Sequence, residues 1–245
     1  VLAEEKGIVM ITPSSSVTAV QTPHQHANVY AVWFKSDKEA EDLAAHIAGQ
    51  GKKKVAIIMQ DDSFWEDKTE YFSKKGESLG LEISHVTVGA DQADFRTQLA
   101  KIKNDMPDAV VFGFSSEKSA VAFFKQKKAM LPDVPFYSSE WVGDYASNPE
   151  YAGLLKRLTY IAPQAASEDF VKKYKAAYGT DPVLSASTAY DSLHILAEAI
   201  EKTDGSSAAI GTYFAKHEFD TVSFGKARFD SMGGVVGGGF VFKSL

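Results

Sequence analysis

The sequence predicts an α/β protein with mostly parallel strands, and three observations carry that expectation. Short, nearly continuous apolar runs alternate with segments of helical period along most of the chain. Several of these runs lack the in–out alternation of a strand with one wet face, as strands buried on both sides of a parallel sheet do. Start and stop residues fall between the two kinds of segment, and a repeated β-then-α rhythm builds parallel sheets covered by helices.

The strand-like runs are residues 8–11, 29–34, 55–59, 83–88, 109–114, 136–138 and 158–162. Helical period is set by Ala40, Leu43, Ala44 and Ile47, then by Phe95, Leu99 and Ile102. It returns at Phe170, Tyr174, Ala177 and Tyr178, and again at Ala189, Leu193, Leu196, Ala197 and Ile200. These spacings put one apolar stripe along each helix. Ser36-Asp37 opens one helix, while Gly80 and Gly179 close others. The rhythm breaks at residues 34–37 and 162–167. From residue 221 onward the character changes to short β runs, 226–229 and 239–243, around a flexible 231–238 stretch, which predicts a hairpin-like end.

Composition narrows the function classes. The chain has 245 residues, 44% of them hydrophobic, enough for one large or two modest cores. A net charge of −6 argues against a nucleic-acid binder, which shows a basic face. The longest apolar runs, such as 109–114, are far too short to span a bilayer. There is no cysteine, so disulfides, thiolate nucleophiles and cysteine-ligated metals are excluded. The opening residues Ala3-Glu4-Glu5-Lys6 show neither the basic nor the apolar region of a signal peptide.

Candidate chemistry sits after the strands. Ser14-Ser15-Ser16 follows the first strand and Pro13. No G-x-S-x-G elbow surrounds it, so it reads as a polar turn or as hydroxyls and backbone N–H groups for an anionic ligand. His24-x-His26 offers two imidazoles without a third ligand, and a solvated loop is the simpler reading. Asp61-Asp62 pairs two carboxylates that could hold a metal or do acid/base work, but they lead into a helix, where acids cap and complement the dipole. Phe64-Trp65 places two large aromatics where a loop is normally polar, which suits core packing or ligand stacking equally. Glu140-Trp141 sets a carboxylate and an indole after a strand, for a ligand or as a surface acid beside a packing ring. The glycines of 233–239 match no phosphate loop, and no cofactor motif or metal set is found. Ser14–Ser16, Asp61–Trp65, Ser115-Ser116 and Glu140-Trp141 share one geometry. All follow carboxyl ends of predicted parallel strands, which line the ligand crevice of doubly wound sheets.

The chain resembles the branched-chain amino-acid (Leu/Ile/Val) binding family of periplasmic proteins. The stretches that carry the resemblance are residues 5–16, Lys53-Lys54-Val55-Ala56-Ile57-Ile58, Asp94-Phe95-Arg96-Thr97-Gln98-Leu99, and Pro107-Asp108-Ala109-Val110-Val111. Ser138-Ser139-Glu140, Ala189-Tyr190-Asp191-Ser192 with 196–200, and 225–230 complete it, in order over nearly the whole chain. The resemblance implies two Rossmann-like lobes of the type I periplasmic-binding-protein fold, joined by three crossings, with a ligand enclosed between them. Lobe I would be residues 1–35 and 164–218, lobe II residues 36–163 and 219–245, with crossings near 34–37, 162–167 and 217–223. The N-terminal part of lobe I has no counterpart, which would leave a bare sheet edge open to self-association.

The same resemblance implies site residues. Ser14 and Ser16 match the loop that holds a ligand carboxylate, and Glu140 matches the acid that pairs with an α-ammonium. Phe64 stands where a cleft tyrosine is common, Trp65 where glycine is common, and Ser116 where an aromatic is common. Tyr190 matches a helix position near the cleft. The function implied is an extracytoplasmic (periplasmic or extracellular) solute-binding protein, for an amino acid or related small amine or carboxylate, serving ABC transporter membrane subunits. A ligand-sensing domain of the same fold in a receptor or regulator is the alternative. An enzyme is disfavoured, because no nucleophile elbow, metal set or phosphate loop is found.

Overall fold

The computed structural model describes residues 2–21, 26–146 and 148–245. They divide into two units, Val1–Lys35 with Pro163–Gly239, and Ser36–Ala162 with Phe240–Leu245. The first unit opens with α1 (Leu2–Glu5), β1 (Met10–Thr12), α2 (Val17–Gln21) and β2 (Val29–Ala31). The β1 strand starts two residues later than the apolar run predicts. Gly7 turns in the left-handed region at φ 62°, and the Ile8 N–H bonds back to the Ala3 carbonyl, so pairing begins only where Met10 N–H reaches Asn28 O.

The second unit follows as α3 (Ser36–Gly49), β3 (Lys54–Gln60), α4 (Ser63–Ser78), β4 (Glu82–Val88) and α5 (Arg96–Asp105). It continues through β5 (Ala109–Gly113), α6 (Glu117–Met130), β6 (Phe136–Ser138), α7 (Val142–Ala146), α8 (Pro149–Ala152) and β7 (Leu158–Pro163). Back in the first unit come α9 (Glu168–Tyr178), α10 (Leu184–Lys202), α11 (Ser207–Lys216), β8 (Phe219–Thr221), β9 (Gly225–Phe229) and β10 (Val235–Val236). The last strand, β11 (Phe240–Ser244), belongs to the second unit.

The helices start where their caps dictate. Asp62 accepts from Trp65 N–H to open α4, and Ser167 accepts from Phe170 N–H to open α9. Gly179 ends α9 at φ 75°, a conformation that costs glycine nothing. Each stripe read from the sequence is buried in the second unit: Ala40, Leu43, Ala44 and Ile47 on α3, Leu99 and Ile102 on α5.

The sheet of the second unit runs β11-β7-β6-β5-β3-β4. From β4 to β7 every pair is parallel. The β11 strand is antiparallel: Leu245 N–H meets Leu158 O at one end, and Gln164 N–H meets Gly239 O at the other. Successive residues of β3 feed opposite faces, which explains the continuous apolar run. Ala56 and Ile58 join Phe95, Phe112, Phe123, Phe124 and Phe136 on one side, whereas Val55 and Ile57 join Ile47, Phe72 and Tyr137 on the other. The strand order reverses between β3 and β5, so the carboxyl ends of those two strands flank a topological switch point.

The first unit holds a parallel β1–β2 pair and a three-stranded sheet in the order β10-β9-β8, tied to β2 by an Ala31–Gly234 bridge. That bridge corrects the expected lobe assignment. Residues 219–239 belong to the first unit, and the third passage between units falls at Gly239–Phe240 rather than near 217–223. The hairpin-like end is likewise only half as expected, since β9 pairs with β8 and β10 while β11 leaves for the other sheet. Gly237 makes that departure: a Cβ there would lie 2.8 Å from the Lys226 carbonyl oxygen. On α10, buried Asp191 accepts from the Val222 and Ser223 N–H groups at 2.8 and 2.9 Å, with burial raising its pKa. The outer face of α10 leaves Leu193 70% and Ile200 49% exposed.

Candidate functional site

At the switch point of the second unit, four residues bond in a ring through side chains and main-chain N–H groups. Gln60 donates to Asp62 at 2.9 Å and accepts from the Ser115 N–H at 3.1 Å. Ser115 Oγ donates to Asp62 at 2.8 Å and accepts from the Trp65 indole N–H at 2.9 Å. Gln60 ends β3, Asp62 caps α4, and Ser115 follows β5, so the ring ties the two strand ends together. Trp65 fills the space between them against Gly113, where any Cβ would overlap the indole.

One turn further along α4 stands Lys68. The α4 stripe that faces the core is Trp65, Lys68, Phe72 and Gly76, so the lysine occupies an apolar position and is 5% exposed. Its ammonium donates to Glu39 Oε2 of α3 at 2.8 Å and lies 3.4 Å from Ser139 Oγ. Glu140 Oε2, after β6, is 3.7 Å away, and the ammonium also sits 4.6 Å from the Phe64 ring centroid. Burial disfavours the lysine charge, but Glu140 and Glu39 outweigh it and hold its pKa above the usual range. Burial, then the Glu140 charge, push the Glu39 carboxyl well above the carboxylate range. Burial opposes ionisation of Glu140 as well, yet Lys68 and the bond from Glu39 keep its pKa below the usual value. A cavity of about 20 Å³, room for one water, borders Glu39, Trp65, Lys68 and Ser139. The Trp141 indole N–H is buried without a hydrogen-bond partner, while its ring stacks on Phe124.

The residues singled out from sequence fall as follows. In the second unit, Glu140 joins the Lys68 cluster with its side chain 20% exposed. Phe64 is 38% exposed beside the same lysine, and Trp65 is 3% exposed, its indole spent on Ser115. Ser116 starts α6 and donates to Asp91 at 2.6 Å, apart from the cluster in its bonding. In the first unit, Ser14 is exposed and Ser16 buried in the loop after β1, where Ser16 Oγ lies 3.0 Å from Thr18 Oγ1. Tyr190 on α10 is 42% exposed, packed against Phe170 and His194, and lines a surface groove with Tyr174 and Tyr178. Asp62 caps a helix, as its position predicts. His24 lies outside the described residues, while His26 pairs with Glu4 at 2.8 Å. No cluster of three or more metal-ligating side chains occurs among the described residues. A wider groove of about 670 Å³ runs along α4 and β4, lined by Glu66, Glu70, Ser73 and His85, over the sheet face and helix rather than at the switch point. Sequence reasoning missed Glu39 and Lys68. Their signal was a charge standing on an apolar stripe, at 39 beside Ala40 and Leu43, and at 68 between Trp65 and Phe72.

A family model described as periplasmic binding protein matches residues 1–240. The chain belongs to that family. Its fold is that of a leucine-binding protein LivK from Thermotoga maritima, at 21% identity and a TM-score of 0.83, covering 100% of this chain and 71% of that one. An ABC-transporter solute-binding protein from R. palustris in complex with benzoate matches at 21% identity and a TM-score of 0.82, covering 100% and 69%. LivJ from Streptococcus pneumoniae in complex with isoleucine matches at 21% identity and a TM-score of 0.75, covering 99% and 71%. No curated protein sequence matches. These likenesses establish the type I periplasmic-binding fold, of which the chain spans about 70% of the solved relatives' length.

Proposed function

We propose that the protein is an extracytoplasmic solute-binding protein of an ABC transporter that takes an amino acid or a related small amine or carboxylate. Its role is to hold and hand over a ligand to membrane subunits, without turnover, and its place of action is the periplasm or cell exterior. The observation that carries this reading is Glu140: a charged carboxylate at the carboxyl end of a parallel strand, held ionised by a buried lysine and still partly open to solvent. In the second unit the proposed contacts are Glu140, Phe64, Trp65 and Ser116. In the first they are Ser14 and Ser16, whose loop suits a carboxylate, and Tyr190 on α10. The solved relatives in complex with isoleucine and with benzoate support a small carboxylate as the common element. The exposed α10 stripe and, among the described residues, the pairing of β1 with β2 alone also support the expectation of self-association.

The test is mass spectrometry of ligand retained by the purified protein, followed by calorimetric titration of variants with that ligand. Glu140→Gln keeps size and one acceptor oxygen but loses the charge. For an amine ligand it weakens binding at least about tenfold, since a charged hydrogen bond contributes roughly 1.5–3 kcal/mol. Glu66→Gln, exposed in the first turn of α4, leaves affinity unchanged. Parent-like binding by Glu140→Gln defeats the assignment.

A further inference from the structure

The cluster beneath Glu140 holds one ammonium against two carboxyl groups. Lys68 and Glu39 are almost wholly enclosed, each side chain 6% exposed, while Glu140 reaches solvent at 20%. Glu39 Oε1 and Glu140 Oε2 are buried, and no N–H group donates to either within hydrogen-bond distance, the Lys68 ammonium standing 3.7 Å from the latter. The charged groups facing Glu39 are Lys68 of α4 and Glu140 after β6. If both acids were ionised, the largely enclosed site would carry one uncompensated negative charge, which proteins avoid by binding a proton or a second cation. The proton belongs on Glu39, the deeper of the two, because desolvation penalises its charge more.

We propose that Glu39 and Lys68 are the positioning residues that set the charge of Glu140, and that a ligand ammonium arriving at Glu140 displaces a proton held by Glu39, whereas a carboxylate ligand without an amine leaves that proton in place. This rests on the reading of Glu140 as a ligand contact. The charges balance in both states. Unliganded, protonated Glu39, ionised Glu140 and Lys68 sum to zero. With an ammonium bound, Glu39 gives its proton to solvent, and two carboxylates face two cations. Keeping the proton would bury a net positive charge instead. The cluster therefore discriminates ligands by charge through a residue that need not touch them, and amine binding strengthens as pH rises toward the Glu39 titration range.

Two measurements test this on the full chain. Infrared spectra of the unliganded protein at neutral pH show a protonated carboxylic acid band that disappears in Glu39→Gln. Spectra without such a difference overturn the assignment of the proton. Calorimetric titration with L-leucine and with benzoate, each in buffers of different ionisation enthalpy, counts protons exchanged. About one proton is released per leucine and none per benzoate, and Glu39→Gln removes the release and flattens the pH dependence of leucine binding, otherwise about tenfold per pH unit at acid pH. Leucine binding without proton release refutes the exchange while leaving Glu140 as a contact. If neither probe binds, the exchange fails for both, while the infrared band still decides the resting charge and the Glu140→Gln titration with the retained ligand decides the contact.

Discussion

Replacing Asp62 by alanine should expose how much the ring at the switch point contributes to stability. Asp62 accepts three bonds: from the Trp65 backbone N–H at 3.1 Å, from Gln60 Nε2 at 2.9 Å and from Ser115 Oγ at 2.8 Å. Losing the cap on α4 costs about 1 kcal/mol. Gln60 is 7% exposed, so its amide donor is left in a dry site and adds roughly 1–3 kcal/mol. Ser115 is exposed, and its hydroxyl turns to water at little cost. The sum is about 2–4 kcal/mol. Urea unfolding followed by tryptophan fluorescence reads it, since Trp65 and Trp141 both lie in the second unit. Asp62→Asn keeps the cap through Oδ1 but sets an NH2 where Gln60 Nε2 and Ser115 Oγ need an acceptor, so it spares only the cap, about 1 kcal/mol of the loss. Asp61→Ala, at an exposed position just outside the helix, stays within about 0.5 kcal/mol of the parent. An Asp62→Ala midpoint equal to that of Asp61→Ala, at equal slope, would refute the argument.

Other outcomes follow from single contacts. Gly113→Ala forces a methyl into the Trp65 indole and to 2.8 Å from Met59 Sδ, and lowers stability by about 1–3 kcal/mol in thermal denaturation. Lys127 is 3% exposed, its ammonium 4.4 Å from the Phe136 ring centroid, and burial lowers its pKa to about 8. The unfolded chain therefore binds more protons between that value and the lysine norm, so stability rises with pH across the window. Lys127→Met removes the rise and stabilises the protein at neutral pH, as denaturation midpoints at several pH values will show. Leu193→Glu, on the exposed stripe of α10, shifts any self-associated species toward smaller particles in light scattering, without lowering the melting temperature.

The second unit was the more legible half. Runs such as 55–59 and 109–114 are apolar throughout because both faces of β3 and β5 are covered, and that alone predicts parallel strands. The stripes of α3 and α5 became visible because their partners are aliphatic and regularly spaced. The fate of residues 219–245 was not legible. Whether a short β run pairs with its neighbour or crosses to another sheet depends on backbone turns at Gly237 and Gly238, which local pattern does not encode. At the site, position after a strand found Asp62, Trp65, Ser115 and Glu140. It could not separate those whose bonding is satisfied internally, such as Trp65, from Glu140, which remains partly open. Glu39 and Lys68 escaped because a charge on an apolar stripe reads as a helix-face error until its partner is in view.

The β11 strand has a consequence for how the molecule is made. It lies against β7, yet the whole 163–239 stretch, which belongs to the other unit, separates the two in the chain. On a ribosome that emits residues in order, the second unit has five of its six strands early and then waits, with the β7 margin unpaired, until the intervening segment has been synthesised. Such a delay is a window for chaperones that shield sheet margins and for strand exchange between nascent chains. It also means that the second unit cannot be excised as one continuous piece: a fragment ending at residue 162 loses its sixth strand, and only a circular permutation or a grafted copy of residues 240–245 restores it.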